Sequence, residues 1–424
     1  MQHSDIADPG LAGAGKARIG WARQAMPVLA VITERFAAER PFAGRTVAAC
    51  LHVTAETAVL VHALEAGGAR VVLSASNPLS TQDDVAAALA AGTAAAVFAR
   101  AGADPAAYRE HIHAALDAGP DLVMDDGGDL VNTLHAERPD LLPQVRGGCE
   151  STSTGVLRLR RMAEEGALAF PMVATDATAT KRVFDNTCGT GQSTLDGILR
   201  ATNTLLAGKV VVVAGYGACG RGIADRARGL GAQVIVTEVD PVRALDAIMG
   251  GLRVLPMAEA APLGDVFITA TGSRDVISGA HLAVMRDGAI LANAGHFDVE
   301  IDLPALADAA VTVSHDVRPH TDEYVLADGR RLLLLAEGRV VNLVAAEGSP
   351  PTVMDVSFAG QALALAWLAG TAGLPAGVHA VPPPIEDQIA RLALECSGGR
   401  IDTLSPAQLD YLRSWRPGPA QDPA

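Results

Sequence analysis

The run Lys209-Val210-Val211-Val212-Val213-Ala214 leads straight into Gly215-Tyr216-Gly217-Ala218-Cys219-Gly220. Four consecutive valines read as a buried strand, and a helix is predicted from Arg221. A second strand, at 234–237, ends at Glu238, twenty-three positions after Gly215. A G-x-G-x-x-G alone is weak evidence; between a strand and a helix, with a spaced acid, it is specific. The glycines let the backbone approach a pyrophosphate at a helix N-terminus, and Glu238 can take a ribose diol. The acid favours NAD over NADP, because a 2′-phosphate would meet a carboxylate. Gly215, Gly217, Ala218, Cys219, Gly220 and Glu238 are thus candidate cofactor residues. Two further strands, 266–270 and 289–293, end in Thr271-Gly272-Ser273 and Gly295-His296-Phe297.

A chain of 424 residues is too long for one ordinary core. Before this unit, a helix is predicted at 15–37, then short apolar runs at 46–51, 70–74, 95–98, 122–126 and 171–175. Helices are predicted between them, including one from Ala58 and one at 105–118. This alternation is an α/β pattern with a parallel, doubly wound sheet. Ligands bind at the carboxyl ends of such strands. His52, Thr54, Glu56, Asn77, Asp126 and Asp129 all fall there. Each alone reads as a cap or loop residue; their shared placement is the signal. After the cofactor unit, an amphipathic helix is predicted at 357–368, and Pro382-Pro383-Pro384 breaks the chain. A charged helical tail comes next and frays in a Pro/Gly/Gln run.

Between the two units lies Thr180-Lys181-Arg182-Val183-Phe184-Asp185-Asn186. Lys181 and Asp185 are four apart and share a helical face. An ammonium beside a carboxylate can hold a hydroxyl and move its proton; the alternative is a surface ion pair.

Other classes find little support. A net charge of −15 without basic clusters argues against nucleic acid. The longest apolar run, 362–378, is too short and too broken to span a bilayer. The N-terminus has no basic-then-apolar signal, and five dispersed cysteines suggest reduced thiols, so a cytoplasmic protein is expected. His111 and His113 face different ways on a predicted helix and read as a solvated face. No metal site is expected. There is no G-x-S-x-G elbow, and Cys188 reads as a packed or loop thiol.

Long stretches resemble S-adenosyl-L-homocysteine hydrolases: 181–200, the Gly215 loop with Thr237-Glu238-Val239-Asp240-Pro241, Gly295 to Asp302, Leu51-His52-Val53-Thr54, and Asn77 to Asp83. The resemblance runs from about residue 10 to 415. It implies two doubly wound Rossmann-like domains: a substrate domain (1–184, completed by 347–380) and an NAD domain (185–346). A C-terminal oligomerisation tail (381–424) and a homotetramer are also implied. In this family bound NAD oxidises a nucleoside 3′-hydroxyl, the 5′ substituent is eliminated, water adds, and the hydride returns. By resemblance Lys181 and Asp185 handle the 3′-hydroxyl, while His52, Asp126 and His296 serve the 4′ proton and the leaving group. Thr54 and Glu56 meet adenine. Ser151, Asn342, Ser349, Met354 and Phe358 complete the nucleoside pocket. Thr152, Ser153, Thr154, Asn186, Thr271, Asn293 and Asn342 fall at the cofactor.

The departures are informative. Ser151 stands where the family has a glutamate that binds the sugar, and Ser349 where it has a gating histidine. Asp176-Ala177 shifts an Asn-Asp pair, Cys188 replaces a tyrosine, and Gly360 replaces an asparagine. These changes favour a redox-neutral dehydratase giving a 4′,5′-unsaturated nucleoside, similar to a step expected for angustmycin-type antibiotics. The alternatives are an ordinary S-adenosyl-L-homocysteine hydrolase and a non-catalytic NAD-binding paralogue.

Overall fold

The valine-rich runs fall into two eight-stranded sheets in a computed structural model that describes residues 4–415. The first sheet is parallel throughout. Its order is Asp5–Ile6, Ala96–Ala99, Arg70–Ala75, Thr46–Leu51, Leu122–Asp125, Gly147–Glu150, Pro171–Ala174 and Gly377–Ala380. The winding reverses between Thr46–Leu51 and Leu122–Asp125. A crevice opens at such a reversal, outside the strand ends, and His52 and Asp126 are the next residues on those two strands.

The second sheet runs Arg253–Val254, Gln233–Thr237, Val210–Ala214, Val266–Thr269, Ala289–Asn293, Arg331–Leu335, Thr321–Leu326 and Ala310–Arg318. Its reversal lies between Val210–Ala214 and Val266–Thr269, which places Gly215 and Thr271 at a second crevice. The last two strands pair antiparallel, an edge the sequence did not signal. The buried strands in both sheets are mostly apolar on both faces, as parallel strands covered by helices require, with polar residues such as Asp125, Glu150 and Asn293 at their carboxyl ends.

Several expected elements need correction. The helix expected at 15–37 is two helices, Ala12–Gln24 and Pro27–Glu39, because Pro27 can begin a helix but cannot continue one. The helices expected from Ala58 and Arg221 begin earlier, as Ala55–Ala66 and Ala218–Gly229. The amphipathic helix at 357–368 is Pro351–Gly370, and it is buried on nearly every side. It is apolar and long enough to cross a membrane by composition, but 72% of that window is covered by protein. Its Asp355 carboxylate receives the Val28 and Leu29 amides at 2.9 and 2.7 Å, capping the second helix. His111 is not solvated: it is buried, with Nε2 3.0 Å from Asp5 Oδ2. In the tail, Pro383–Cys396 sets Ile389 and Ala393 into the first domain's core. The terminal Pro/Gly/Gln run lies outside the described residues.

The chain passes between the sheets twice, outward through Arg182–Gly189 and back through 345–350, so the second domain is an insertion in the first.

Candidate active site

A cavity of about 830 Å³ lies where the carboxyl ends of the two sheets face each other. Its first feature is the outward crossing. Thr178 caps a single helical turn, Ala179–Lys181. The backbone then widens into a π-helix, Arg182–Gly189, before the helix Thr190–Thr202. Such widened turns are rare and recur at functional sites. Here the turn brings Lys181 Nζ to 3.1 Å from Asp185 Oδ2 and 3.1 Å from Asn186 Oδ1. The Lys181 and Asp185 side chains are only 13% and 12% exposed, so this is not a surface pair. Burial works against the Lys181 ammonium. Asp185, with Cys219 and Asp126, outweighs it and holds the amine above its ordinary range.

The second feature lies at the first sheet's reversal. His52 Nε2 is 3.2 Å from Asp126 Oδ2. His52 Nδ1 is 2.6 Å from Ser80 Oγ, whose hydroxyl donates to the Asn77 carbonyl. With Nδ1 committed to Ser80, Nε2 is the nitrogen aimed at Asp126. His296 arrives from the second domain, its ring 5.9 Å from that of His52. Ligand-capable atoms of His52, Asp126 and His296 all lie within 4.8 Å of one another. That donor set has the geometry to hold a divalent ion.

Burial pushes the His52 imidazolium down, opposed by Asp126 and reinforced by His296. Burial also penalises the Asp126 carboxylate. His52, His296, the Ser151 hydroxyl and Lys181 outweigh it and hold its carboxyl below the usual range. Gly127 makes the approach of His296 possible: its φ is +115°, and a Cβ there would sit 2.4 Å from His296 Nε2.

Sequence reasoning missed the brace behind this group. Glu150 Oε1 accepts from Gly127 N, Thr152 N and Thr152 Oγ1 at 3.0, 2.8 and 2.8 Å. Burial, with Asp125 and Asp126 nearby, pushes the Glu150 carboxyl well up, and Asp125 is pushed up to about 7. Ser357 was also missed; it faces inward from Pro351–Gly370 and donates to Asp185. A carboxylate at a strand end is a weak signal, and a serine in an apolar helix is weaker still.

Most expected site residues line this one cavity. Thr54, Glu56, Ser151, Asn342, Ser349, Met354 and Phe358 do so, and so do Thr152, Ser153 and Thr154. Asn186, Gly217, Ala218, Cys219 and Thr271 face it from the other side. Glu300, from beyond His296, takes the Thr271 amide and hydroxyl and the Gly272 amide, fixing that loop. Four expected cofactor residues stand behind the lining. Gly215 turns the chain at φ +93°. Gly220 packs on it, so that a Cβ would lie 1.9 Å from the Gly215 carbonyl oxygen. Glu238 receives the Tyr216, Val239 and Asp240 amides, and though burial works against it these hold its carboxyl below the usual range. Asn293 is fully buried and ties Gly295, Phe297 and Gly338 together.

The second domain coincides with a family model. Residues 186–348 match "S-adenosyl-L-homocysteine hydrolase, NAD binding domain", and residues 3–140 match "S-adenosyl-L-homocysteine hydrolase". An adenosylhomocysteinase of Thermosynechococcus vestitus is 55% identical over 98% of this chain and 96% of its own length. The chain belongs to the adenosylhomocysteinase family. Another adenosylhomocysteinase, from Aquifex aeolicus, is 55% identical over 98% of this chain and 99% of its own. An S-inosyl-L-homocysteine hydrolase of Methanosarcina acetivorans is 53% identical over 96% of this chain and 98% of its own.

NAD is the cofactor of this adenosylhomocysteinase-family chain, and the residues fit it. The open turn at Gly215–Gly217 leaves the start of Ala218–Gly229 free for a pyrophosphate. Asn342 lines the cavity, and its buried Oδ1 has no hydrogen-bond partner among the described residues, an acceptor suited to a carboxamide. Gly220→Ala is expected to cost about 1–3 kcal/mol through overpacking and to loosen NAD. Thermal melting with and without added NAD checks it.

Proposed function

We propose that this protein hydrolyses a nucleosyl-homocysteine thioether, with S-adenosyl-L-homocysteine the first substrate to test. The observation that carries this reading is that Lys181–Asp185 and His52–Asp126–His296 face one cavity beside the glycine turn. Bound NAD supplies a hydride acceptor. Lys181 Nζ takes the proton of the sugar 3′-hydroxyl while Asp185 fixes the amine. The ketone so formed acidifies the 4′ hydrogen. His52, Asp126 and His296 then remove that proton and return one to the departing sulfur. Thr54 and Glu56 meet the base. Water adds across the enone, its oxygen to C5′ with a proton returned to C4′ by the same histidine–aspartate group, and the cofactor would supply the hydride that restores C3′.

The relatives' names support a hydrolase over the dehydratase expected from the sequence. A second reading rests on Ser151. Its side chain donates to Asp126 Oδ1 at 3.0 Å, and a serine in place of the family's glutamate would free space for a ketohexose substituent. In that reading water is the leaving group. Mass spectrometry separates the two. Enzyme with NAD is incubated with S-adenosylhomocysteine, with S-inosylhomocysteine, and with an adenine nucleoside of a ketohexose. Homocysteine from either thioether supports the hydrolase. Loss of one water from the third, with both thioethers untouched, overturns it. The inosyl arm matters because relatives of nearly equal identity carry the names of two nucleosides.

Glu238→Ala is expected to raise the affinity for NADP relative to NAD by about tenfold or more, by removing a charge that repels a 2′-phosphate. Cofactor titration by fluorescence reads the ratio. The assembly we propose is a homotetramer, which light scattering would check.

A further inference from the structure

The return crossing makes a polar contact with the outward one at Ser349. Ser349 Oγ donates to Asp185 Oδ1 at 3.2 Å, and Ser357 Oγ donates to Asp185 Oδ2 at 3.0 Å. Each carboxylate oxygen therefore carries a serine hydroxyl, and Oδ2 also faces the Lys181 ammonium. The contact is close: a Cβ on Gly189 would lie 2.7 Å from Ser349 Oγ and 2.7 Å from Val353 Cγ1, so a larger residue there would press on both side chains. Next to it, Asn342 Nδ2 donates to Ser193 Oγ, which donates to the Gly189 carbonyl. The two strands of the domain junction are thus laced together beside the redox pair. The resemblance places a histidine at this position; here a hydroxyl of different reach and chemistry stands instead.

We infer that Ser349 is a positioning residue that acts through Asp185, fixing the carboxylate and weakening its hold on the Lys181 proton. This rests on the reading of Lys181 as the group that takes the substrate hydroxyl proton. With both serines on Asp185 the Lys181 amine already sits above its ordinary range, and an unshared buried carboxylate would hold its proton more firmly still. A hydroxyl donating to that carboxylate draws off part of its charge, and the ammonium is held less firmly. Because the donor sits on the returning crossing, a shift of one domain against the other would change the basicity of Lys181. Ser349 would then link domain placement to proton transfer. The other titratable groups facing the pair are Asp126 at its strand end and Cys219 on Ala218–Gly229, and Glu347 lines the same cavity.

The test reads Lys181 directly. The NAD-loaded protein, without substrate, is labelled by trace acetic anhydride across pH, and the Lys181 peptide is quantified by mass spectrometry. In Ser349→Ala the labelling midpoint is expected to rise by about one pH unit, the size of one lost hydrogen bond to a charged partner. Ser349→Thr, which keeps the hydroxyl, is expected to restore it. An unchanged midpoint in Ser349→Ala overturns the inference. So does a shift that threonine fails to reverse, which would mark a merely structural role. Labelling requires no turnover, so failure of the proposed hydrolysis would show in the product assay and not here.

Discussion

Lys181→Met is expected to slow reduction of the bound cofactor by nucleoside about 10²–10⁴-fold, the usual worth of a positioned proton acceptor. Methionine keeps the unbranched stem packed while removing the amine. The same change leaves Asp185 buried without its cation. Losing one partner of a buried pair costs about 3–5 kcal/mol, and the two serine donors on Asp185 place this case at the low end. Stopped-flow absorbance of the reduced nicotinamide gives the first effect, and thermal melting gives the second. Reduction at the unsubstituted rate would remove Lys181 from the mechanism. No reduction of the cofactor by nucleoside in the unsubstituted protein would leave it as a nucleotide-binding paralogue.

Asp126→Asn is expected to split the reaction in two. Oxidation of the 3′ carbon should survive, because Lys181 and Asp185 are untouched. Elimination at C4′ and C5′ should fall about 10²–10⁴-fold. The amide can still accept from Ser151, so the local structure should hold. What is lost is the charge 3.2 Å from His52 Nε2. Burial already disfavours the His52 imidazolium, and Asp126 is the group that opposes it. Without that carboxylate the His52 pKa falls further still, and a smaller fraction of the ring carries a proton for a leaving group. Exchange of a deuterium label at C4′, measured beside cofactor reduction, separates the two steps. Equal loss in both would show that Asp126 serves the site as a whole and not the elimination.

The sequence made the strand ends legible because parallel α/β sheets put ligand groups there. His52, Asp126, Gly215 and Thr271 could be placed because each comes directly after, or within two residues of, an apolar run. The meeting of His296 with His52 could not be, since it depends on how one domain closes on the other and came only from the family resemblance. The π-helix was hidden because a widened turn has no residue signature: Lys181 and Asp185 read as an ordinary i,i+4 pair. Ser357 was hidden in an apolar run, and Glu150 behind a strand end, for one reason. Their roles come from partners distant in sequence. His111 misled because an exposed-looking polar residue on a helix was buried by Asp5, over a hundred positions away. Pro27, by contrast, carried its own signal, and the break it imposes was there to be read.

The first sheet closes only when Gly377–Ala380 pairs alongside Pro171–Ala174. On the ribosome those partners emerge some two hundred residues apart, roughly 10–40 s at ordinary elongation rates. Through that interval Pro171–Ala174 is a bare apolar edge, able to recruit a strand from a neighbouring nascent chain. The whole cofactor domain is made while that edge stands open. Yield in a cell should therefore depend on translation speed across the insertion, even where the finished molecule is equally stable.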